Sequence, residues 1–139
     1  MILLDTNVLS ELMRAKPDPV VVAWVDAQPV QDLLISSITV AEILYGIARI
    51  PEGKRRQALQ DVAIAMFEED FAGRILPFDA DAAVHYAELA AESEGKGKIA
   101  DMADGQIAAI AKLHGVPVAT RNIHHFQSFG VELFNPWSG

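Results

Sequence analysis

The stretch Met1-Ile2-Leu3-Leu4-Asp5-Thr6-Asn7 decides the fold, because an unbroken apolar run gives way at once to an acid, a hydroxyl and an amide. A short run with no polar alternation reads as a strand covered on both faces, the condition of strands in a parallel sheet. Asp5 then stands at the mouth of that strand. Working outward, Leu33 to Ser36 repeats the pattern, and Ile75 to Phe78, Val116 to Thr120 and Val131 to Phe134 are the other predicted strands. Helical patterns fill the intervals. Asn7 to Met13 is a short helix stopped by the Pro17 and Pro19 region, and Pro19 suits the first turn of a second helix through Ala27. Ile38 to Arg49 spaces Ile43, Ile47 and Ile50 for one buried face. Gly53 to Glu69 reads as one long helix with a basic start, Lys54-Arg55-Arg56, and an apolar stripe through Val62 and Met66. Ala80 to Glu94 and Asp101 to His114 follow, the last stopped by Gly115 and Pro117. Between them Gly95-Lys96-Gly97-Lys98 is predicted to be a flexible loop. Strands alternating with helices predict an α/β fold with a mainly parallel central sheet and helices on both faces.

Composition bounds the chemistry. A chain of 139 residues is one domain's worth, residues 1–139, and buries roughly two-thirds of its unfolded surface. With 51% hydrophobic and 22% charged residues it is not a disordered chain. A net charge of -8 excludes nucleic-acid binding by bulk electrostatics, so a polyanionic substrate needs a cation or a local basic rim. Arg14, Lys16, Lys98 and Arg121 are the candidates for such a rim, with a scattered solvated set as the alternative. There is no cysteine, hence no disulfide framework, thiol chemistry or cysteine-based zinc site. The opening apolar run is too short for a signal sequence and no later one reaches the roughly 20 residues that span a bilayer, so a soluble cytoplasmic protein is expected, with no membrane partner.

Three acids share a setting. Asp5 ends the first strand, Glu42 lies early in the helix after the second, and Asp104 lies near the start of the last long helix. In open α/β sheets ligands bind beyond the carboxyl ends of the strands, where these segments and Thr120 to His125 converge. Each acid has an ordinary structural role open to it. Asp5 suits a helix cap as well as a ligand, Glu42 suits a helix-start acid, and Asp101 with Asp104 suits a cap followed by a first-turn acid. Convergence changes the weighting: carboxylates about 5 Å apart repel by roughly 3 kcal/mol per pair at an effective dielectric near 20, so three together call for a cation. Hard oxygen donors suit Mg²⁺ or Mn²⁺.

At this point a resemblance stands on residues. Ile2-Leu3-Leu4-Asp5-Thr6-Asn7, Ser36-Ser37-Ile38-Thr39-Val40-Ala41-Glu42, Ala103-Asp104-Gly105-Gln106-Ile107-Ala108-Ala109, Ala119-Thr120-Arg121-Asn122 and Phe134-Asn135-Pro136-Trp137, in this order, resemble the PIN domains, and more closely the VapC/FitB-type toxins of bacterial toxin–antitoxin pairs. The resemblance implies a PIN-like three-layer α/β/α sandwich and a metal-dependent ribonuclease. It implies that Asp5, Glu42 and Asp104 form the acidic metal site, with Thr6 and Thr120 as supporting hydroxyls. Hydrolysis by a metal-activated water, leaving a 5′-phosphate and a 3′-hydroxyl, is implied with it. So are a homodimer, a small VapB/FitA-like antitoxin whose C-terminal segment covers the site, and operator DNA bound only through the antitoxin complex. Leu9, Leu12 and the Ala48 to Pro51 region are the expected seat of that antitoxin. One departure stands out. Many relatives carry a fourth acid just after the Thr-Arg turn, and the corresponding places hold Asn122 and His125. Asn122 offers an amide oxygen without charge, whereas His125 beside Phe126 reads more simply as a solvated or packing residue.

Rival readings are weaker. A haloacid-dehalogenase-like phosphatase needs a second Asp two residues after the first, and that place holds Asn7. A receiver-type signalling domain needs an acidic pair before its strand-end Asp and a late strand-end Lys, neither of which is evident. The alternative of another class is a catalytically weakened PIN domain that acts as an antitoxin-bound, operator-associated regulator.

Overall fold

The computed structural model describes residues 1–138. Five strands, β1 (Ile2–Leu4), β2 (Leu33–Ser36), β3 (Ile75–Leu76), β4 (Val118–Ala119) and β5 (Leu133–Phe134), form one sheet in the order β3-β2-β1-β4-β5. Every pairing is parallel, with Leu3 set against Leu34 on one side and Val118 on the other. The chain builds outward from β1 to one edge and then returns to its other flank, so the sheet reverses direction of growth between β1 and β4. A crevice opens at the carboxyl end of such a reversal.

Seven helices cover the sheet: α1 (Thr6–Leu12), α2 (Pro19–Asp26), α3 (Ser37–Ala48), α4 (Lys54–Ala65), α5 (Ala80–Gly95), α6 (Met102–His114) and α7 (Ile123–Phe126). The two-residue period of a strand sends Leu3 and Leu4 to opposite faces. Leu3 joins Leu89, Ile107, Ile110 and Phe126 in a core under α5, α6 and α7. Leu4 joins Val8, Val21, Ile43, Ile47 and Phe67 in a second core under α1 to α4. Two cores on one sheet make the expected three-layer α/β/α sandwich. No helix of the described residues is long and apolar enough to cross a membrane.

The helices start where short polar side chains satisfy free N–H groups: Asp5 for α1, Asp18 for α2, Ser36 for α3, Asp79 for α5 and Asp101 for α6. Gly115 closes α6 in the left-handed conformation at φ 64°. Several expected bounds shrink, since only the residues of β3, β4 and β5 that reach a neighbouring strand join the ladder. The expected long helix from Gly53 to Glu69 is two pieces: α4 gives way to a π-helical turn, Met66–Asp70, closed by the Phe71 N–H donating to the Met66 carbonyl at 3.0 Å. The wider turn lets Phe67 and Phe71 both enter the core. Its buried stripe is also one residue out of the expected phase, with Ala63 and Phe67 inside and Val62 exposed. The Gly95 to Lys98 turn is tied rather than loose: the Lys98 N–H donates to the Ser93 carbonyl at 3.0 Å and the Ser93 hydroxyl to the Lys98 carbonyl at 3.1 Å.

The α5–α6 contact depends on Gly105. A methyl group there would lie 2.8 Å from Cε1 of Tyr86, whose ring packs edge-on against Phe78 with centroids 6.1 Å apart. Gly105→Ala therefore overpacks the core, and after the gain in helix propensity it should cost about 1–2 kcal/mol in chemical denaturation. Gly46→Ala on α3, with nothing within 4 Å of the new carbon, should instead stabilise by up to about 1 kcal/mol.

Candidate functional site

Because Leu4 and Ala119 are register partners, the next residues, Asp5 and Thr120, leave adjacent strands side by side. The Thr120 hydroxyl donates to Oδ2 of Asp5 at 2.7 Å, and the Thr6 N–H donates to Oδ1 at 2.8 Å. Asp5 is thus both the cap of α1 and a carboxylate aimed into the crevice, so the two roles open to it coexist. It is only 3% exposed. Burial pushes its carboxyl up to about 6; the two hydrogen bonds oppose the rise, and the charges of Asp104 and Glu42 add to it.

Asp104 comes from the first turn of α6, where Asp101 caps the helix by accepting the Asp104 N–H at 3.1 Å. Its carboxyl is also raised, by burial first and then by the Asp101 charge, with His125 pulling the other way and Glu42 adding a small push upward. Glu42 lies in the second turn of α3, past the point where a helix-start role would place it. The Thr6 hydroxyl donates to its Oε1 at 2.6 Å. A hydroxyl has one hydrogen, so at the 2.9 Å contact between Thr6 and Thr39 it is Thr39 that donates. Ser36 donates in turn to the Thr39 hydroxyl at 3.4 Å. The result is a directed chain, Ser36 to Thr39 to Thr6 to Glu42, running from the β2–α3 junction to the acid.

The crevice has a volume of about 460 Å³ and is lined by Asp5, Thr6, Glu42, Asp104, Arg121, Asn122 and Trp137 among others. All three expected acids, Thr6 and Asn122 therefore meet at one place, with Thr120 buried beneath them. Asn122 contributes twice, its side chain to the wall and its N–H to the Thr120 hydroxyl at 2.9 Å. His125 stays exposed, in keeping with the solvated half of its expected role, and its Nδ1 lies 3.2 Å from Oδ2 of Asp104. The basic rim is smaller than expected, since only Arg14 and Arg121 line the crevice and Lys16 lines the cleft next to it.

Sequence reasoning passed over four residues. Asn7 donates to the Thr120 hydroxyl at 3.4 Å and accepts the Arg121 N–H at 3.4 Å, joining α1 to the β4 turn. Thr39 is buried in the hydroxyl chain. Glu11 is a buried acid whose two oxygens each lie 3.2 Å from Nη1 of Arg14, just past the end of α1; the three-residue spacing of the two was the available signal. Trp137 stacks against Arg121.

A larger, mostly apolar cleft of about 830 Å³ lies alongside, lined by Met13, Ile43, Ile47, Ile50 and Leu59 with Arg14, Lys16 and Arg55 at its rim. It holds a single acid, Glu42, so the chemistry belongs to the smaller crevice. Leu9, expected on the antitoxin surface, is wholly buried in the core and is unavailable to a partner; Ile50, from the Ala48 to Pro51 region, does face the cleft.

The family model for the PIN domain matches residues 2–130. The chain belongs to the PIN-domain family. Within it, this PIN domain is 49% identical over 137 residues to the VapC ribonuclease Y4jK of Sinorhizobium fredii, covering 99% of this chain and 98% of that protein. The crystal structure of FitAcB from Neisseria gonorrhoeae superposes with a TM-score of 0.93 at 45% identity, covering 99% of each chain. The structure of FitAB bound to an IR36 DNA fragment matches equally, with a TM-score of 0.93 at 45% identity over 99% of this chain and 96% of that one.

The donor set of this PIN domain fits a hard divalent cation: three carboxylates on one crevice, with the charges of Glu42 and Asp104 pushing the Asp5 carboxyl up, hydroxyls behind them and no cysteine sulfur. Among the described residues no three His, Asp or Glu side chains already stand as a finished coordination group. Each acid is instead drawn onto a neighbour, Asp5 onto Thr6 and Thr120, Glu42 onto Thr6, and Asp104 onto His125. The chemistry of the donors and the single crevice they share are the stronger guide.

The raised carboxyl of Asp5 makes metal-free stability depend on pH. The folded state holds this proton more tightly than the unfolded chain, so its contribution is fully present below pH 3.8 and is lost as pH rises through about 6. The loss should be on the order of 3 kcal/mol, with Asp104 acting in the same direction. Urea titrations in EDTA across this window should show the decline, and Asp5→Asn should flatten it.

Proposed function

We propose that this PIN domain is the ribonuclease toxin of a type II toxin–antitoxin pair, hydrolysing RNA phosphodiester bonds with Mg²⁺ or Mn²⁺ held by Asp5, Asp104 and Glu42. The observation that carries the reading is the meeting of these three carboxylates, from β1, α6 and α3, in one crevice at the reversal point of the sheet. A likeness of fold would not carry it alone, since one fold hosts many functions; the kinship with a VapC ribonuclease supports it from another side.

When bound, the cation offsets phosphate charge and lowers the pKa of a water for in-line attack. The chain's own side chains fix the geometry. Thr120 and the Thr6 N–H leave Asp5 a single orientation, and the committed hydrogen of Thr6 does the same for Oε1 of Glu42. Asn122 lines the wall without adding a fourth negative charge, which lowers the electrostatic barrier to an incoming phosphate. The partner is a small VapB/FitA-like antitoxin, operator DNA is reached through that complex, and the active form is a homodimer in the cytoplasm. The structure of FitAB bound to an IR36 DNA fragment supports the antitoxin and DNA parts of this reading.

Purified, antitoxin-free protein is the test. It should cleave RNA from a structured pool with Mg²⁺ or Mn²⁺ and stop in EDTA. Asp5→Ala should abolish cleavage while keeping the fold by circular dichroism. A folded wild type that leaves every RNA intact counts against the reading and favours the catalytically weakened regulator, whereas cleavage that survives both controls removes the metal and Asp5 from the reaction and overturns the reading. Thr120→Val, which removes only the donor behind Asp5, should lower the rate about 10–100-fold.

A further inference from the structure

Two cations line an otherwise acidic crevice, and they are not equivalent. Arg14 is taken up by Glu11, whose two oxygens each lie 3.2 Å from its Nη1. Arg121 makes no ion pair among the described residues. Its guanidinium instead lies over the ring of Trp137, 5.0 Å from the centroid. Trp137 is a fixed surface: it packs against the core under α1 and α2, follows a buried Pro136, and has its N–H held by Asn135 Oδ1 at 3.0 Å. The backbone of Arg121 is held as well, by Asn7. A cation in a chain of net charge -8 is therefore anchored at both ends, exposed, and next in sequence to the threonine that holds Asp5.

We propose that Arg121 is the phosphate-binding residue for single-stranded RNA in this crevice, gripping a backbone phosphate beside the one cleaved, and that Trp137 is the positioning residue that holds its guanidinium there. Taking the ligand to be RNA rests on the ribonuclease reading. The chemistry favours this ligand for two reasons. A planar guanidinium matches two phosphate oxygens at once. Stacking on an aromatic face orients the fork without neutralising it, as a carboxylate partner would.

The test measures binding and cleavage separately. Affinity for a fluorescein-labelled single-stranded oligoribonucleotide of random sequence is followed by anisotropy against KCl in Asp5→Asn protein, which does not consume the probe. Adding Arg121→Gln should reduce the slope of log affinity against log salt by about 0.7, the share of one phosphate contact. Arg121→Lys should keep the slope with weaker binding. Trp137→Ala should weaken binding and Trp137→Phe should restore it. In otherwise wild-type protein with Mg²⁺, Arg121→Gln should raise KM and leave kcat nearly unchanged. Unchanged slope and KM in a folded Arg121→Gln protein overturn the proposal, as does a parent with no measurable RNA affinity. So does normal RNA binding combined with lost antitoxin affinity, which would assign the pair to the protein partner. Failure of the wild type to cleave, with the slope still dependent on Arg121, would overturn the nuclease reading and leave this one standing.

Discussion

The hydrogen bond from Thr120 to Asp5 ties the sheet to the site. It joins the first residue after β1 to the first after β4, across the point where the sheet reverses, and lies almost wholly out of water. A carboxylate so placed has few ways to be satisfied. One oxygen goes to Thr120 and the other to the open end of α1, so the same acid that faces the crevice also sets the direction in which the chain leaves the strand. The register of β1 against β4 is therefore tied to the geometry of the crevice. A slip of one residue would exchange the two faces of the strand and remove the acid from its donor together.

Around this bond the molecule gathers negative charge against its own electrostatic interest. Glu42 and Asp104 both raise the Asp5 carboxyl, so the gathering of acids is held together by the rest of the fold. Two separate cores do the holding, and each carries one of the other acids: α3 packs Ile43 and Ile47 into one core, and α6 packs Ile107 and Ile110 into the other. Glu42 and Asp104 thus approach Asp5 on helices seated mainly in different cores, with Ile38 at the start of α3 also touching the core that holds α6. A site built in this way keeps its shape while its charges repel, which is the condition for binding a cation tightly.

Much of this was legible in the residues. Apolar runs marked the strands, short polar side chains marked the helix starts, and three acids at strand ends or helix starts marked the crevice. What the sequence left dark has a common physical character. Thr39 and the Arg121–Trp137 pair act through side-chain contacts that only the folded chain creates, and no local pattern distinguishes a buried hydroxyl in a polar chain from any other threonine. The phase of α4 failed for a different reason. Val62, Ala63 and Ile64 are all apolar, so periodicity alone does not say which is buried, and the π-helical turn that follows shifts the face again. His125 is solvated as expected, but its contact with Asp104 had no local signal, since Phe126 beside it turns into the core.

The relation between the crevice and the apolar cleft carries the reading one step further. Ser10, Arg14 and Glu42 line both. On the proposed function, an antitoxin segment seated on Ile43, Ile47 and Ile50 lies against the same carboxylate that helps hold the cation and the same arginine that Glu11 restrains. RNA in the crevice and a peptide in the cleft then compete for shared walls even where their main contacts differ. Inhibition in this geometry needs no conformational change, because overlap of the two sites makes binding mutually exclusive.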